Sequence, residues 1–239
     1  NDEPTNDLSV ATNLHALSSM QPTIKFEYMT TKRSLMFMEK GDKNRCVVNK
    51  IRTKERLDKY IFSLPINLFL GYRLYQHNTN TPLPGYTSFD SKLHLDELFK
   101  KSPDARVLIS DQISYGDVLD NQLTSLPQKN KILRSSREHN TGIIKMFEQG
   151  YAEFSILYPQ QVYKHKPGLK ARSYTIASSP PFVLGHLMCT KTPATVDFIE
   201  QVNSNLTSDI NYEELLEIHL RFIRPTEQLM FKYYFKQAF

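Results

Sequence analysis

Thr53-Lys54-Glu55-Arg56 sets a hydroxyl and a guanidinium one helical turn apart. A threonine in front of a helix can accept from a first-turn amide, and the helix dipole adds partial positive charge at that end. The planar fork of Arg56 suits a carboxylate or a phosphate. An ion pair of Arg56 with Asp58, Glu55 or a neighbouring loop is the competing arrangement. A second constellation, Ser114-Tyr115-Gly116, falls between a strand-like and a helix-like segment, where open α/β sheets place ligands. Gly116 lets backbone approach closely and Tyr115 offers an aromatic face. A plain strand-to-helix turn would use the same residues. The next loop of this kind, Arg134 to His139, is polar and basic, which adds His139 and Asn140 as lining candidates. Arg33, at the start of an earlier helix, is one more cation that could face a ligand.

The familiar catalytic arrangements are missing from the sequence. Its eight glycines include no G-x-G-x-x-G and no phosphate loop ending in Gly-Lys-Ser/Thr, and there is no G-x-S-x-G elbow. None of the seven histidines has another four residues away, so no helical zinc face can form. Asp96-Glu97 and Glu213-Glu214 read as exposed helix faces. The expectation is a protein that binds without turnover, using no cofactor and no metal.

Positioning these residues requires alternating helices and strands, the mark of α/β architecture. Helical spacing runs over Asp7 to Met20, and Ile24 to Met29 reads as a strand. Arg33 to Lys40 is helical, with Gly41 as its cap. A short strand at Cys46-Val47-Val48 precedes a helix from Lys54 to Tyr60, with Thr53 as N-cap. His77 to Ser91 turns to Asn, Thr, Pro and Gly and reads as a loop opening a second unit. Leu93 to Lys100, Asp117 to Leu123 and Ile143 to Gln149 follow as helices. They alternate with strands at Arg106 to Ser110, Ile132-Leu133 and Phe154 to Tyr158, the order expected of a parallel sheet. After Pro180-Pro181 come a strand from Phe182 to Met188 and a helix from Ala194 to Leu206. Two last helices, Tyr212 to Phe222 and Thr226 to Gln237, are separated by Pro225.

At 239 residues the chain suits two packed lobes. A hydrophobic content of 40% is enough for a real core. The net charge of +5 comes from scattered lysines and arginines, not a dense stripe interleaved with aromatics, so nucleic acid is not the expected partner. No apolar run approaches the roughly 18 residues that span a bilayer. Asn1 to Asn6 lacks the basic-then-apolar form of a signal segment, and a leader removed beforehand is the expectation. Cys46 and Cys189 stand far apart, as two buried thiols or as one long-range disulfide.

One segment carries a resemblance. Cys46-Val-Val-Asn-Lys-Ile-Arg-Thr-Lys-Glu-Arg56, followed by Tyr60-Ile-Phe-Ser-Leu-Pro65, resembles the strand, "Thr-x-x-Arg" helix start and "Phe-Ser-x-Pro" turn of family 3 extracellular solute-binding proteins. The cysteine ahead of the motif is similar to an uncharacterised periplasmic subgroup. Asp104 to Leu123 is similar to the family's second-lobe strand, glycine loop and helix. Phe147-Glu-Gln-Gly-Tyr-Ala-Glu-Phe-Ser-Ile-Leu-Tyr158 looks like its "helix, Gly-Arg-x-Asp, strand" segment. His186-Leu-Met-Cys-Thr-Lys-Thr192 looks like its return strand.

The resemblance implies a type II periplasmic binding-protein fold of two α/β lobes: lobe 1 from residues 1–71 and 184–239, lobe 2 from 72–183. Two crossovers would serve as a hinge closing an interlobe cleft on a small ligand. It implies a ligand set of Asn49, Thr53 and Arg56 with Arg33 in lobe 1, and Ser114, Tyr115, Gly116 and Tyr158 in lobe 2. In amino-acid binders the Tyr158 position is acidic and holds the ammonium, and a second hydroxyl stands where Ile51 is. The family's first strand is not evident before Leu8. An anionic or carboxylate-bearing ligand therefore fits better than an ordinary α-amino acid. Because the family's return strand lies beside the strand of Cys46, a Cys46–Cys189 disulfide is implied, contributing about 3–5 kcal/mol in an oxidising compartment. The implied function is a monomeric periplasmic receptor delivering solute to a membrane transporter. A module signalling to a membrane kinase, cyclase or receptor is the alternative, and an enzyme on the same scaffold comes third.

Overall fold

A computed structural model describes residues 7–20, 24–27, 29, 31–41, 43–86, 92–111, 113–134 and 139–239. Along the chain these form α1 (Leu8–Ala16), α2 (Thr31–Glu39), β1 (Cys46–Lys50), α3 (Lys54–Lys59), β2 (Tyr60–Leu70), β3 (Arg73–His77), β4 (Lys92–Leu93), α4 (Leu95–Lys101), β5 (Val107–Ser110) and α5 (Asp117–Ser125). β6 (Lys131–Arg134), α6 (His139–Glu148), β7 (Phe154–Leu157), α7 (Pro159–His165), β8 (Ala171–Ile176), β9 (Phe182–Thr190), α8 (Pro193–Leu206), α9 (Asp209–Leu220) and α10 (Gln228–Ala238) complete it. They fall into two compact units, unit 1 being Asn1–Phe69 with Val183–Phe239 and unit 2 being Leu70–Phe182.

Unit 1 is built on a three-stranded sheet in the order β1-β9-β2. β1 runs antiparallel to β9, with Cys46 opposite Cys189 and Lys50 opposite His186. Cys46 and Cys189 form a disulfide, their Cα atoms 4.0 Å apart, which settles the choice left open by the sequence. The bridge packs in a core of Ala16, Leu17, Ile66, Leu187, Ile199 and Val202. A register shift between Val47 and Lys50 bends the end of β1, where Asn49 takes a left-handed φ of 56°. β2 lies at the sheet edge, which is why Pro65, having no N–H, is tolerated in mid-strand. Side chains from the helices answer amides along that edge: Leu64 N–H donates to Asn203 Oδ1 at 2.7 Å, and Leu68 N–H to His219 Nε2 at 3.1 Å. His219 Nδ1 donates to the Leu215 carbonyl at 2.7 Å, and burial lowers this imidazole's pKa to about 4, so it stands neutral.

Unit 2 holds a six-stranded sheet in the order β4-β8-β3-β7-β5-β6. β5 is parallel to β6 and β7, and β4 is parallel to β8, while β3 is antiparallel to both of its neighbours, β7 and β8. α6 and α7 cover this sheet through Ile143, Ile144, Phe147 and Val162, which meet Tyr75, Leu108 and Leu157.

Several expectations need correction. The parallel sheet is a mixed one, because β3 is entered directly from β2 through Gly71-Tyr72 without an intervening helix, so it runs against the rest. Ile24 to Met29 is not a strand: Ile24–Glu27 lacks regular structure, with Ile24 packed on the core of unit 1 and Phe26 45% exposed. The Phe62–Pro65 "turn" is part of continuous strand β2. Tyr60 begins β2 instead of ending α3, and Leu93 belongs to β4 instead of the following helix. The strands β3 and β8 and the helix α7 went unread in the sequence.

Candidate functional site

Apart from Arg33 on α2, the candidate residues lie at strand-to-helix connections, β1–α3 in unit 1 and β5–α5 and β7–α7 in unit 2. In unit 1, Thr53 is the N-cap of α3, its Oγ1 accepting from Arg56 N–H at 3.4 Å. The extended backbone at Thr53 aims that hydroxyl into the first turn. α3 is only six residues long, so its dipole is weak, and the positive charge of this loop comes from side chains. The Arg56 guanidinium donates through Nη1 to the Ile51 carbonyl at 3.0 Å, pinning it over the end of β1. This contact is to a neutral carbonyl of the same loop, not an ion pair, and it uses one of the five N–H donors of the fork.

Around Arg56 the loop is rich in nitrogen bases and poor in acids. Arg52 Nη2 donates to the Ser63 carbonyl at 2.6 Å, and His186 Nδ1 meets the same oxygen at 2.9 Å. Burial, with the nearby Arg52 charge adding, lowers the His186 pKa to about 4, so it too is neutral. Lys50 ends β1. Burial, and then the repulsion of Arg56, brings its ammonium down to about 8. Among the described residues no carboxylate lies within ion-pair distance of Lys50, Arg52 or Arg56. Glu55, the nearest acid in sequence, is exposed and engages Lys59 at 3.0 Å.

Asn49 is part of the framework of this loop. Its Oδ1 accepts from Asn13 Nδ2 at 3.2 Å and from Asn67 Nδ2, and Thr12 Oγ1 completes the chain of bonds onto Asn67 Oδ1. Gly185 packs closely alongside: a Cβ there would sit 3.1 Å from Asn67 Cβ and 3.3 Å from Asn49 Oδ1, so these side chains would have to give by a few tenths of an ångström. Arg33 lies on α2 with its guanidinium over the Phe37 ring, 5.5 Å from the centroid, and Arg45 also lies over that ring. A broad groove adjoins this loop on unit 1, lined by Arg52, Leu57, Tyr60, Phe62, Val196 and Asp197; the Lys191 ammonium, also in its lining, is tied to the carbonyls of Leu57 and Asp58.

In unit 2, the Ser114-Tyr115-Gly116 loop is held by Asp120 from the first turn of α5. Asp120 accepts from Ser114 Oγ at 2.7 Å and from Tyr115 N–H at 2.8 Å, and Gly116 N–H donates to Ser114 Oγ at 3.2 Å. Gly116 sits at φ 93°, which a glycine adopts without strain. Tyr115 is buried, its hydroxyl accepting from Ser110 N–H at 2.7 Å. Its ring packs 4.7 Å from that of Tyr72, and Tyr72 stacks on Tyr158 at 3.7 Å. Burial raises the pKa of all three phenols, so they remain protonated donors and acceptors. Arg134 packs against Gly142 and donates through Nη1 to Met146 Sδ at 2.9 Å. The rest of that loop, 135–138, and the side chains of His139 and Asn140 lie outside the described residues.

The structure thus gathers Asn49, Thr53 and Arg56 at one end of unit 1 and Ser114, Tyr115, Gly116 and Tyr158 within unit 2. The reading from sequence missed Lys50, Asp120, Tyr72 and His186. Asp120 had a signal, being an acid in the first turn after a serine-containing loop. Lys50 had none, because its lack of a counter-charge exists only in three dimensions. Among the described residues no group of three His, Cys, Asp or Glu side chains could hold a metal ion, and no helix is long and apolar enough to cross a membrane.

No family model and no curated protein matches the chain. Solved structures do. A histidine kinase sensor domain with similarity to periplasmic binding proteins superposes with a TM-score of 0.65 at 9% identity, covering 90% of this chain and 85% of that one. The arginine-, lysine-, histidine-binding protein ArtJ from Geobacillus stearothermophilus gives 0.61 at 12% identity, covering 93% and 89%. A putative L-cystine ABC transporter protein from Listeria monocytogenes gives 0.60 at 16% identity, covering 90% and 85%. At such low identity these matches speak for architecture, and on that evidence the chain has the two-lobed periplasmic binding-protein fold.

Proposed function

We propose that this chain is an exported, non-enzymatic solute-binding module of the bacterial periplasm that captures a small anionic or carboxylate-bearing ligand and presents it to a membrane transporter. The observation that carries the reading is Arg56, placed over the end of β1 by the Ile51 carbonyl, with Thr53 capping its helix and no carboxylate in ion-pair range among the described residues. A guanidinium that keeps donors unspent next to other uncompensated cations is suited to an external oxyanion. Ser114, Gly116 and Tyr158 are the uncharged contacts proposed for unit 2. Oxidation of Cys46 and Cys189 supports export, since such bridges persist in oxidising compartments. A ligand-sensing role is the second reading, supported by the sensor domain among the structural neighbours.

Native mass spectrometry of freshly purified protein should reveal the co-purifying solute. Arg56→Ala should then abolish the thermal stabilisation given by that solute, while shifting the unliganded Tm by a few degrees at most. Undiminished affinity in the variant would overturn the assignment of Arg56. Turnover of the bound compound would establish the enzymatic reading instead.

A further inference from the structure

We propose that Lys50 and Arg56 together form one oxyanion subsite in unit 1, in which Lys50 is a charge-determining contact that no described carboxylate neutralises. The inference deepens the reading just given and rests on it. Three observations place Lys50 there. It is the last residue of β1, and the Arg56 guanidinium is fixed on the carbonyl of the next residue, Ile51. The bulge before it, with Asn49 held at positive φ by Asn13 and Asn67, sets the direction in which the strand end turns. No hydrogen bond or ion pair within the protein satisfies its ammonium among the described residues.

The groups that face Lys50 are the Arg56 guanidinium from α3 and His186 across the strand pair on β9, with Arg52 from the intervening loop bonded to the same Ser63 carbonyl as His186. None is an acid, and His186 is neutral. A partly buried ammonium beside a fixed guanidinium is unfavourable until an anion lies between them. Binding such an anion favours the charged form of Lys50. In the free protein this lysine titrates at about 8, so binding above neutrality must take up a proton. Affinity should accordingly be highest near neutral pH and fall as the pH climbs past about 8.

Isothermal titration of the full chain with inorganic phosphate, succinate and L-glutamate, at about pH 7 and about pH 9.5, tests this on wild type, Lys50→Met, Lys50→Arg and Arg56→Ala. At least one of the three anions should bind wild type and weaken at the higher pH. Lys50→Met should lose roughly tenfold or more at pH 7 and should lose the pH dependence. Lys50→Arg, which preserves the charge and guards against misfolding as an explanation, should retain binding with no fall at high pH. Wild-type affinity in Lys50→Met alongside loss in Arg56→Ala would overturn the role of Lys50 and leave the functional proposal standing. No binding by any of the three anions would overturn both.

Discussion

The two loops, β1–α3 in unit 1 and β5–α5 in unit 2, follow one plan and are finished in opposite ways. Each carries a strand end, a hydroxyl residue and a helix start. In unit 2 the protein supplies its own carboxylate, Asp120, which takes up the Ser114 hydroxyl and the Tyr115 amide. In unit 1 no carboxylate among the described residues lies within ion-pair distance of the cations Lys50 and Arg56. A loop whose donors are answered from within holds its shape. A loop whose charges are unanswered is stable only because water or an anion can reach it. The difference supports the proposal that charge recognition belongs to unit 1, while the unit 2 loop is closed by its own carboxylate beside buried tyrosines.

The comparison can be broken at several points. The largest effect should come from the bridge that ties together the two chain segments of unit 1, for which continuous unit 2 has no counterpart. Cys46→Ala with Cys189→Ala should cost about 3–5 kcal/mol in denaturant unfolding. A loss well under 1 kcal/mol would mean that the segments hold together without it.

Next is acid. His219 titrates at about 4 in the folded protein against 6.5 unfolded, so its folded pKa is depressed. Stability is then complete above about 6.5 and is lost as pH falls toward about 4, by on the order of 3 kcal/mol. His186 adds a loss of the same sign, also in unit 1. Amide exchange should show unit 1 opening first as pH drops from 7 to 4.5, and His219→Gln should flatten that response. Equal acid sensitivity of the two units would count against the assignment.

A smaller effect is expected for Asp120→Ala, which strands the Ser114 hydroxyl and the Tyr115 amide and should cost about 1–3 kcal/mol, measured by chemical denaturation. An unchanged midpoint would mean that the unit 2 loop does not depend on its internal carboxylate. Least of all, Tyr158→Phe should cost about 1 kcal/mol, because the ring stack on Tyr72 survives and one hydroxyl contact is lost.

Much of the architecture was legible in the sequence, for reasons that differ by element. α8 was legible from its apolar stripe, and the structure adds its start at Pro193 and a reciprocal cap between Thr192 and Thr195. Gly41 and Gly150 marked helix ends, and both take positive φ. β3 and β8 were hidden because their side chains mix polar and apolar types, Gln76 being buried against Tyr174 by a hydrogen bond no periodicity foretells. The disulfide came from resemblance alone, since spacing could not say whether two distant cysteines meet. At the candidate site, the cap at Thr53 followed from residue type and spacing. The isolation of Lys50, the framework role of Asn49 and the burial of Tyr115 depend on partners far along the chain or absent.

The Cys46–Cys189 bond joins positions 143 residues apart in sequence and thereby closes residues 46–189, all of unit 2 among them, into one covalent ring. A single protease cut anywhere in that ring leaves the molecule in one piece. Nicked protein should migrate as an intact band on non-reducing gels and separate into two fragments only after reduction. A break in a surface loop of unit 2 therefore need not release one part of the protein from the other.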